Sequence, residues 1–195
     1  MIYNLSKKLA IKFEQKGYIL AEEVDFIGYG FFSVISKLLY GFISLLIGLG
    51  LGCAVEAVSF YFAFLFIKKY AGGIHASTEY RCFIASTISI ICSIFCIFLS
   101  MNYMLFGHII FALSLLSSIA ILRFAPIPAK EKPLDNRELK QYSKISVIRM
   151  CVLIVVASIV YSLDLLNIVF SICVAIILES ILILMGKVGN IKAGR

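Results

Sequence analysis

Long apolar segments separated by short polar ones make up most of this 195-residue chain. A helix of about 20 apolar residues is long enough to cross a bilayer. Six apolar runs approach that length, at residues 31–50, 52–67, 82–100, 103–122, 147–163 and 166–186. The second run is the shortest, which also fits a tilted or partly re-entrant helix. The pattern predicts an all-α integral membrane protein with about six transmembrane helices.

The N-terminal segment, residues 1–17, follows a different pattern. Ile2, Leu5, Leu9 and Phe13 recur at helical spacing, with lysines elsewhere around the helix. The segment lacks the continuous apolar core of a cleavable signal peptide. It predicts an amphipathic helix in the headgroup region, with its lysines against anionic lipid. Packing of this helix on the protein's own loops is the alternative.

Composition supports a membrane protein throughout. Hydrophobic residues make up 62% of the chain and charged residues 15%, whereas soluble domains are about a quarter charged. The mean hydropathy of +1.02 excludes a soluble globular fold for most of the length. We therefore expect one membrane-embedded domain over residues 1–195. Its cysteines show no CxxC motif or zinc-ligand spacing, so most should be buried free thiols.

Lysine and arginine are distributed asymmetrically between alternate polar segments. The basic segments are residues 7–16, 68–81, 123–149 and 187–195, whereas the connections 49–52, 100–103 and 162–165 contain neither residue. Because basic residues flank the cytoplasmic ends of spans, both termini and the loop 68–82 are predicted to be cytoplasmic. This arrangement needs an even number of spans. The basic face, with the net charge of +7, suits acidic segments and anionic lipid, and no nucleic-acid-binding motif is present.

A polar island between the second and third apolar runs contains the candidate chemistry. Residues 68–75 read KKYAGGIH, and Cys82 follows seven residues after His75. A neighbouring imidazole and local positive charge favour a cysteine thiolate, so the pair could serve as general base and nucleophile. Ser77 or Thr78 would cap the third span and place Cys82 in its first turns. The partial positive charge of a helix N-terminus also favours a thiolate.

Geometry places a condition on this pair. Within one continuous helix, His75 and Cys82 would be roughly 10 Å apart along the axis, too far for direct proton transfer. His75 must therefore fold back over the helix start, and Gly72-Gly73 provide the backbone freedom for that turn. The residues alone show no obvious third catalytic group. Ser86, one turn after Cys82, could orient a partner or simply pack against another helix.

Three segments together resemble the accessory gene regulator B (AgrB) family. They are KKYAGGIHA at 68–76 with Cys82 after it, APIPAKEKPL at 125–134, and Leu178-Glu179-Ser180. The resemblance covers most of the chain, and its length and topology agree as well. It implies a membrane cysteine endopeptidase with His75 and Cys82 as the catalytic pair.

The resemblance also implies a substrate and a product. Family members process an AgrD-like propeptide into a cyclic autoinducing peptide for quorum sensing. A thioester on Cys82 would be attacked by an internal cysteine or serine of the substrate, which closes a thiolactone or lactone ring without a cofactor or metal. The expected partners are this propeptide, a bilayer with anionic headgroups and a second copy of the chain, in a bacterial cell membrane.

Further residues are expected to support the site. Family members often carry arginine where Lys68 and Lys69 stand, so this chain keeps the charge but loses the bidentate fork. The basic segment 123–146 is a candidate docking surface for the acidic tail of the substrate. Glu179 either pairs with a basic residue near the site or is protonated and structural. The full supporting set is Lys68, Lys69, Gly72, Gly73, Ser86, Arg123, Lys132, Arg137 and Glu179.

Two other classes of protein are compatible with parts of the sequence. Glu56, Glu179 and the glycine-rich stretch 41–52 could line the pathway of a small transporter or serve a partner-binding protein, although no inverted repeat is evident. Glu22-Glu23 suggests a glutamate-type intramembrane protease, but no matching histidine follows. A Cys82→Ala change separates the first class from the peptidase, because a transporter should largely tolerate it.

Overall fold

The computed structural model describes residues 2–73, 79–127 and 135–192. Within these ranges the chain forms seven α-helices and no strand. The helices are α1 (Ile2–Gln15), α2 (Val24–Leu51), α3 (Ala54–Ala71), α4 (Glu79–Asn102), α5 (Met104–Phe124), α6 (Asn136–Ser162) and α7 (Leu166–Lys192). The prediction of an all-α membrane protein is confirmed.

Five of the described helices are long and apolar enough to cross a membrane, namely α2, α4, α5, α6 and α7. Helix α3 corresponds to the second apolar run and is not among them. It has 18 residues and carries Glu56 in its first turn and Lys68 and Lys69 in its last. Six helices therefore stand where about six spans were expected, and a membrane-crossing role for α3 stays a prediction.

Helix α6 begins earlier than its apolar run at 147–163. Asp135 and Glu138 form a capping box at its start. The backbone amide of Asp135 donates to Glu138 Oε2 at 3.1 Å, and the amide of Asn136 donates to Asp135 Oδ1 at 2.7 Å. Such reciprocal bonds satisfy amides that have no partner within a first helical turn. The second part of the segment 123–146, which was expected to be a loop, is therefore helical.

The chain divides into two compact units, and the first comprises Met1–Ile43. In it, α1 packs on the first part of α2, where Lys7 and the buried Ala10 lie against Gly28. Lys7 Nζ lies 2.8 Å from Asp25 Oδ1, and this hydrogen bond raises the pKa of Lys7. Helix α1 thus packs on a helix rather than on loops, while Leu5 and Phe13 of its apolar stripe remain exposed.

The second unit comprises Ser44–Arg195 and is arranged around α7. Helix α7 packs against α3, α4, α5 and α6, and most of its span is buried. Small residues allow close packing: the ring of Phe170 lies against Gly107, and Ala57 lies against Gly48. The connections at Gly52-Cys53 and at Tyr103 are short. The connections after α3 and α5 are longer, and they meet each other.

Candidate functional site

Cys82 is the fourth residue of α4, which begins at Glu79. Its side chain is partly exposed. Fewer of the other cysteines are buried than expected: Cys53 and Cys173 are buried, Cys96 is partly exposed, and Cys92 and Cys151 are exposed. The Cys82 thiol lies in the first turn of the helix, where the unpaired backbone amides give a partial positive charge. This is the location that the spacing predicts. His75, Ser77, Thr78 and Lys132 lie outside the described residues.

The two connections after α3 and α5 are joined by backbone hydrogen bonds. The amide of Ile127 donates to the carbonyl oxygen of Ala71 at 3.0 Å, and the amide of Gly73 donates to the carbonyl oxygen of Ile127 at 3.2 Å. Gly72 and Ile127 form an isolated parallel bridge. The proline-containing segment, which has a cis peptide bond between Ala125 and Pro126, thus holds the glycine pair directly.

Both glycines of the pair need to be glycine for physical reasons. Gly72 has φ +78° and Gly73 has φ +118°, a region that residues with a Cβ rarely adopt. A Cβ on Gly72 would run into the carbonyl oxygen of Ile127. A Cβ on Gly73 would lie 2.7 Å from Lys68 Nζ and 3.4 Å from Leu182 Cβ. The glycine pair predicts a close approach of another part of the backbone. In the structure, Gly72 and Gly73 closely approach the α5–α6 connection and α7.

Lys68 and Glu179 form an ion pair beside the glycines. Lys68 Nζ donates a hydrogen bond to the carbonyl oxygen of Gly72 at 2.7 Å and lies 3.7 Å from Glu179 Oε2. Glu179 has no exposed surface. Neither of its carboxylate oxygens accepts a hydrogen bond from the part of the chain that the structure describes. The basic residue near the site that one of the two open interpretations of Glu179 requires is therefore Lys68.

A second cluster, which the sequence reading missed, joins α3 to α6. The guanidinium of Arg149 lies over the rings of Phe66 and Tyr70, 4.6 and 4.2 Å from their centroids. It also donates to the carbonyl oxygen of Phe66. Tyr70 in turn meets Tyr142 edge to face at 5.2 Å. Arg149 had been assigned only to topology; its position inside an apolar run was the available signal that it needs partners within the protein.

Comparison with known proteins decides the family. The sequence profile of accessory gene regulator B matches residues 6–183. The chain belongs to the AgrB family. Residues 6–183 contain α3, the start of α4 and Glu179, so the match includes the whole arrangement around the glycine pair.

Individual AgrB relatives agree with the family profile. An AgrB-like protein of Clostridium perfringens is 30% identical over 148 residues, which cover 74% of this chain and 69% of the relative. Accessory gene regulator protein B of Staphylococcus intermedius is 24% identical over 82% of this chain and 84% of its own length. The Staphylococcus aureus protein of the same name is 30% identical over 52% of this chain and 51% of its own length. No solved structure matches.

The remaining predicted residues of this AgrB chain are spread over the surface of the second unit. Arg123, near the end of α5, and Arg137, near the start of α6, are both exposed. Lys69 is exposed, and its Nζ lies 5.3 Å from the ring centroid of Tyr70. Ser86 is partly exposed on α4. The structure thus brings together Lys68, Gly72, Gly73 and Glu179, and no contact joins Arg123 or Arg137 to them among the described residues.

The acidic pair Glu22-Glu23 has a local structural role. Both residues lie in the 3-10 turn Ala21–Glu23 before α2, and both are exposed. The carboxylate of Glu23 accepts a hydrogen bond from the amide of Leu20 at 2.9 Å. This bond caps the start of the 3-10 turn. Glu23 thus has a structural role that does not require an intramembrane protease.

Proposed function

We propose that this chain is a membrane cysteine endopeptidase of the agr quorum-sensing system, which cleaves an AgrD-like propeptide. The observation that carries the proposal is the position of Cys82, a partly exposed thiol in the first turn of α4. The motif that contains His75 comes between this turn and a glycine pair held by three neighbours. Membership of the AgrB family supports the same activity.

In the proposed reaction, His75 removes the proton of the Cys82 thiol, and the thiolate attacks a carbonyl carbon of the propeptide. The peptide C–N bond breaks, and the imidazolium of His75 protonates the departing amine. The N-terminal part of the substrate stays on Cys82 as a thioester. An internal cysteine or serine of that part then attacks the thioester carbonyl, which closes the thiolactone or lactone ring and returns the thiol of Cys82.

The expected assembly and location are part of the proposal. The basic residues Arg123, Lys132 and Arg137 would attract the acidic tail of the propeptide. Both termini and the loop 68–82 face the cytoplasm of a bacterial cell, and the basic N-terminal helix lies against anionic headgroups. Two copies of the chain associate as a homodimer, and small residues of the stretch 41–52 serve either this interface or, as Gly48 does against Ala57, contacts within the chain.

The transporter alternative predicts a different environment for Glu179. A carboxylate that lines a transport pathway must be reachable from water at some stage, whereas Glu179 has no exposed surface and is paired with Lys68. The pairing with Lys68 gives the Glu179 carboxyl group a partner within the protein, so its presence in α7 does not by itself require a transport pathway.

The test is co-expression with the AgrD-like propeptide encoded beside the gene, followed by mass analysis of both peptide and protein. Wild type should release the C-terminal fragment and carry a thioester adduct on Cys82. Cys82→Ala and His75→Ala should each reduce cleavage to background. Cys92→Ala is the matched control, because Cys92 is an exposed cysteine further along the same helix, and it should cleave normally.

Cleavage that persists in Cys82→Ala would rule out the dyad. Absence of cleavage in a folded wild-type protein supplied with its own propeptide would rule out the peptidase and favour the transporter or partner-binding class.

A further inference from the structure

The ammonium group of Lys68 has two partners, one in the backbone after α3 and one on α7. Its Nζ donates to the carbonyl oxygen of Gly72 at 2.7 Å and lies 3.7 Å from Glu179 Oε2. The Lys68 side chain is 21% exposed and the Glu179 side chain 0%. Lys68 therefore links the buried side chain of Glu179 on α7 to the backbone at the end of α3.

The position of Lys68 near the end of α3 suits such a contact. The last carbonyl groups of a helix have no partner within it, and a lysine of the last turn can hydrogen-bond them. A surface lysine, however, is free to extend its ammonium into water, and the neighbouring Lys69 is exposed, with its Nζ beside the ring of Tyr70. Glu179 provides a second partner on the interior side, because its Oε2 lies within ion-pair distance of the Lys68 ammonium.

Gly73 is the last described residue before the segment that contains His75, and it is enclosed on three sides. Its amide is bonded to Ile127. A Cβ built on it would meet Lys68 Nζ at 2.7 Å and Leu182 Cβ at 3.4 Å. Leu182 lies on α7 less than one turn after Glu179, so the ion pair and the enclosure belong to the same part of that helix.

We propose that Glu179 is a positioning residue, which acts through Lys68 to fix the Gly72 carbonyl and so the direction in which the chain leaves Gly73 toward His75. The consequence for catalysis rests on the proposed peptidase activity, whereas the effect on the backbone does not. Since a misplacement of about 1 Å can cost roughly 100-fold in rate, a loosened glycine pair should lower kcat and leave KM nearly unchanged.

The first arm of the test measures hydrogen exchange on the full chain in lipid nanodiscs, without any substrate. Glu179→Gln keeps the shape of the side chain and removes its charge. It should accelerate exchange at the amides of Gly73 and Ile127 by about tenfold or more, since Lys68 would lose its ionic partner and its hydrogen bond to the Gly72 carbonyl oxygen would weaken. Glu56→Gln, at the opposite end of α3, is the control and should leave both amides unchanged.

The second arm separates positioning from general stability. The double variant Lys68→Met/Glu179→Met removes both charges, so it leaves no unpaired charge in the interior and should unfold near the wild-type temperature. It should nevertheless show fast exchange at Gly73 and a kcat that is roughly 10- to 100-fold lower, with KM within about twofold. Lys68→Arg, which keeps the cation, should retain more activity than Lys68→Met.

The results distinguish a positioning role of the Lys68–Glu179 pair from a purely structural one. Unchanged exchange at Gly73 and Ile127 in both Glu179→Gln and the double variant overturns the proposal. A double variant with wild-type kcat also overturns it, because the pair would then not position the catalytic segment. If the wild type cleaves no propeptide, the peptidase is wrong, and the exchange measurements still decide whether Glu179 fixes the glycine pair.

Discussion

The amide of Gly73 donates a hydrogen bond to the carbonyl oxygen of Ile127 at 3.2 Å. This bond joins the segment before the candidate histidine to the segment that follows α5. Two regions that are far apart in sequence, each carrying part of the AgrB resemblance, are thus in direct backbone contact. The two segments occur together for a structural reason, because each holds the backbone of the other through hydrogen bonds.

Replacement of Gly72 should be far more damaging than replacement of another glycine with a similar positive φ. Gly72 has φ +78° and ψ −135°, and a Cβ there meets the Ile127 carbonyl. Gly72→Ala should cost roughly 3 kcal/mol of stability and most of the activity. Gly52 has φ +71° with no atom within 4 Å of a Cβ, so Gly52→Ala should cost only about 1 kcal/mol. Thermal unfolding in detergent compares the two, and equal losses would show that the Ile127 contact is unimportant.

The guanidinium of Arg149 should be required for the packing of α6 on α3. Arg149→Met removes its contacts with the rings of Phe66 and Tyr70 and should cost about 1–3 kcal/mol. Arg149→Lys should recover only part of this, since an ammonium lacks the planar group that stacks on both rings. Lys144→Met, at an exposed position of the same helix, should change stability by less than about 0.5 kcal/mol. Equal unfolding temperatures for all three variants would contradict the prediction.

Two glycines of α2 should respond in opposite directions to the same substitution. A Cβ on Gly48 would lie 2.6 Å from Ala57 Cβ and 3.0 Å from Ala54 Cα, whereas one on Gly50 meets nothing within 4 Å. Gly48→Ala should therefore destabilise the protein by about 1–3 kcal/mol. Gly50→Ala should be neutral or stabilising by up to about 1 kcal/mol, because alanine favours the helix. Thermal unfolding of both variants would reveal the sign, and a stable Gly48→Ala protein would refute the close approach.

A charged, membrane-impermeant maleimide should label Cys82 alone, and only from the cytoplasmic side. The other five cysteines are buried or lie within apolar spans, namely Cys53, Cys92, Cys96, Cys151 and Cys173. Inside-out vesicles should therefore take up about one label per chain, and right-side-out vesicles none. Cys82→Ser should abolish the labelling. Labelling of Cys82 in right-side-out vesicles would reverse the proposed topology.

The sequence allowed the helices to be predicted because apolar runs of membrane length are a strong signal. It placed their ends less well where polar residues continue the helix, as at Asn136, although the Asp135-Glu138 capping box was readable. Cys82 lies in the first turn of α4 as expected.

The contacts of Glu179 and Arg149 could not be derived in the same way. Each depends on which helices pack together and on their rotation about their axes, and one sequence does not carry that information. A partner was expected only for Glu179, although the position of Arg149 in an apolar run carries the same signal, since an isolated charge there is unfavourable. The sequence could not indicate that the partners were Lys68 in one case and two aromatic rings of α3 in the other.

Helix α7 contacts each of α3, α4, α5 and α6, and this has a consequence for biosynthesis. A ribosome completes those four helices before it makes α7, so they exist before their common neighbour does. Until α7 has been synthesised, Lys68 lacks its partner Glu179, and its long side chain can extend the ammonium to the headgroup region. Assembly of the second unit is therefore a late event in the life of each chain, and a nascent chain arrested before α7 would be a substrate for membrane quality control.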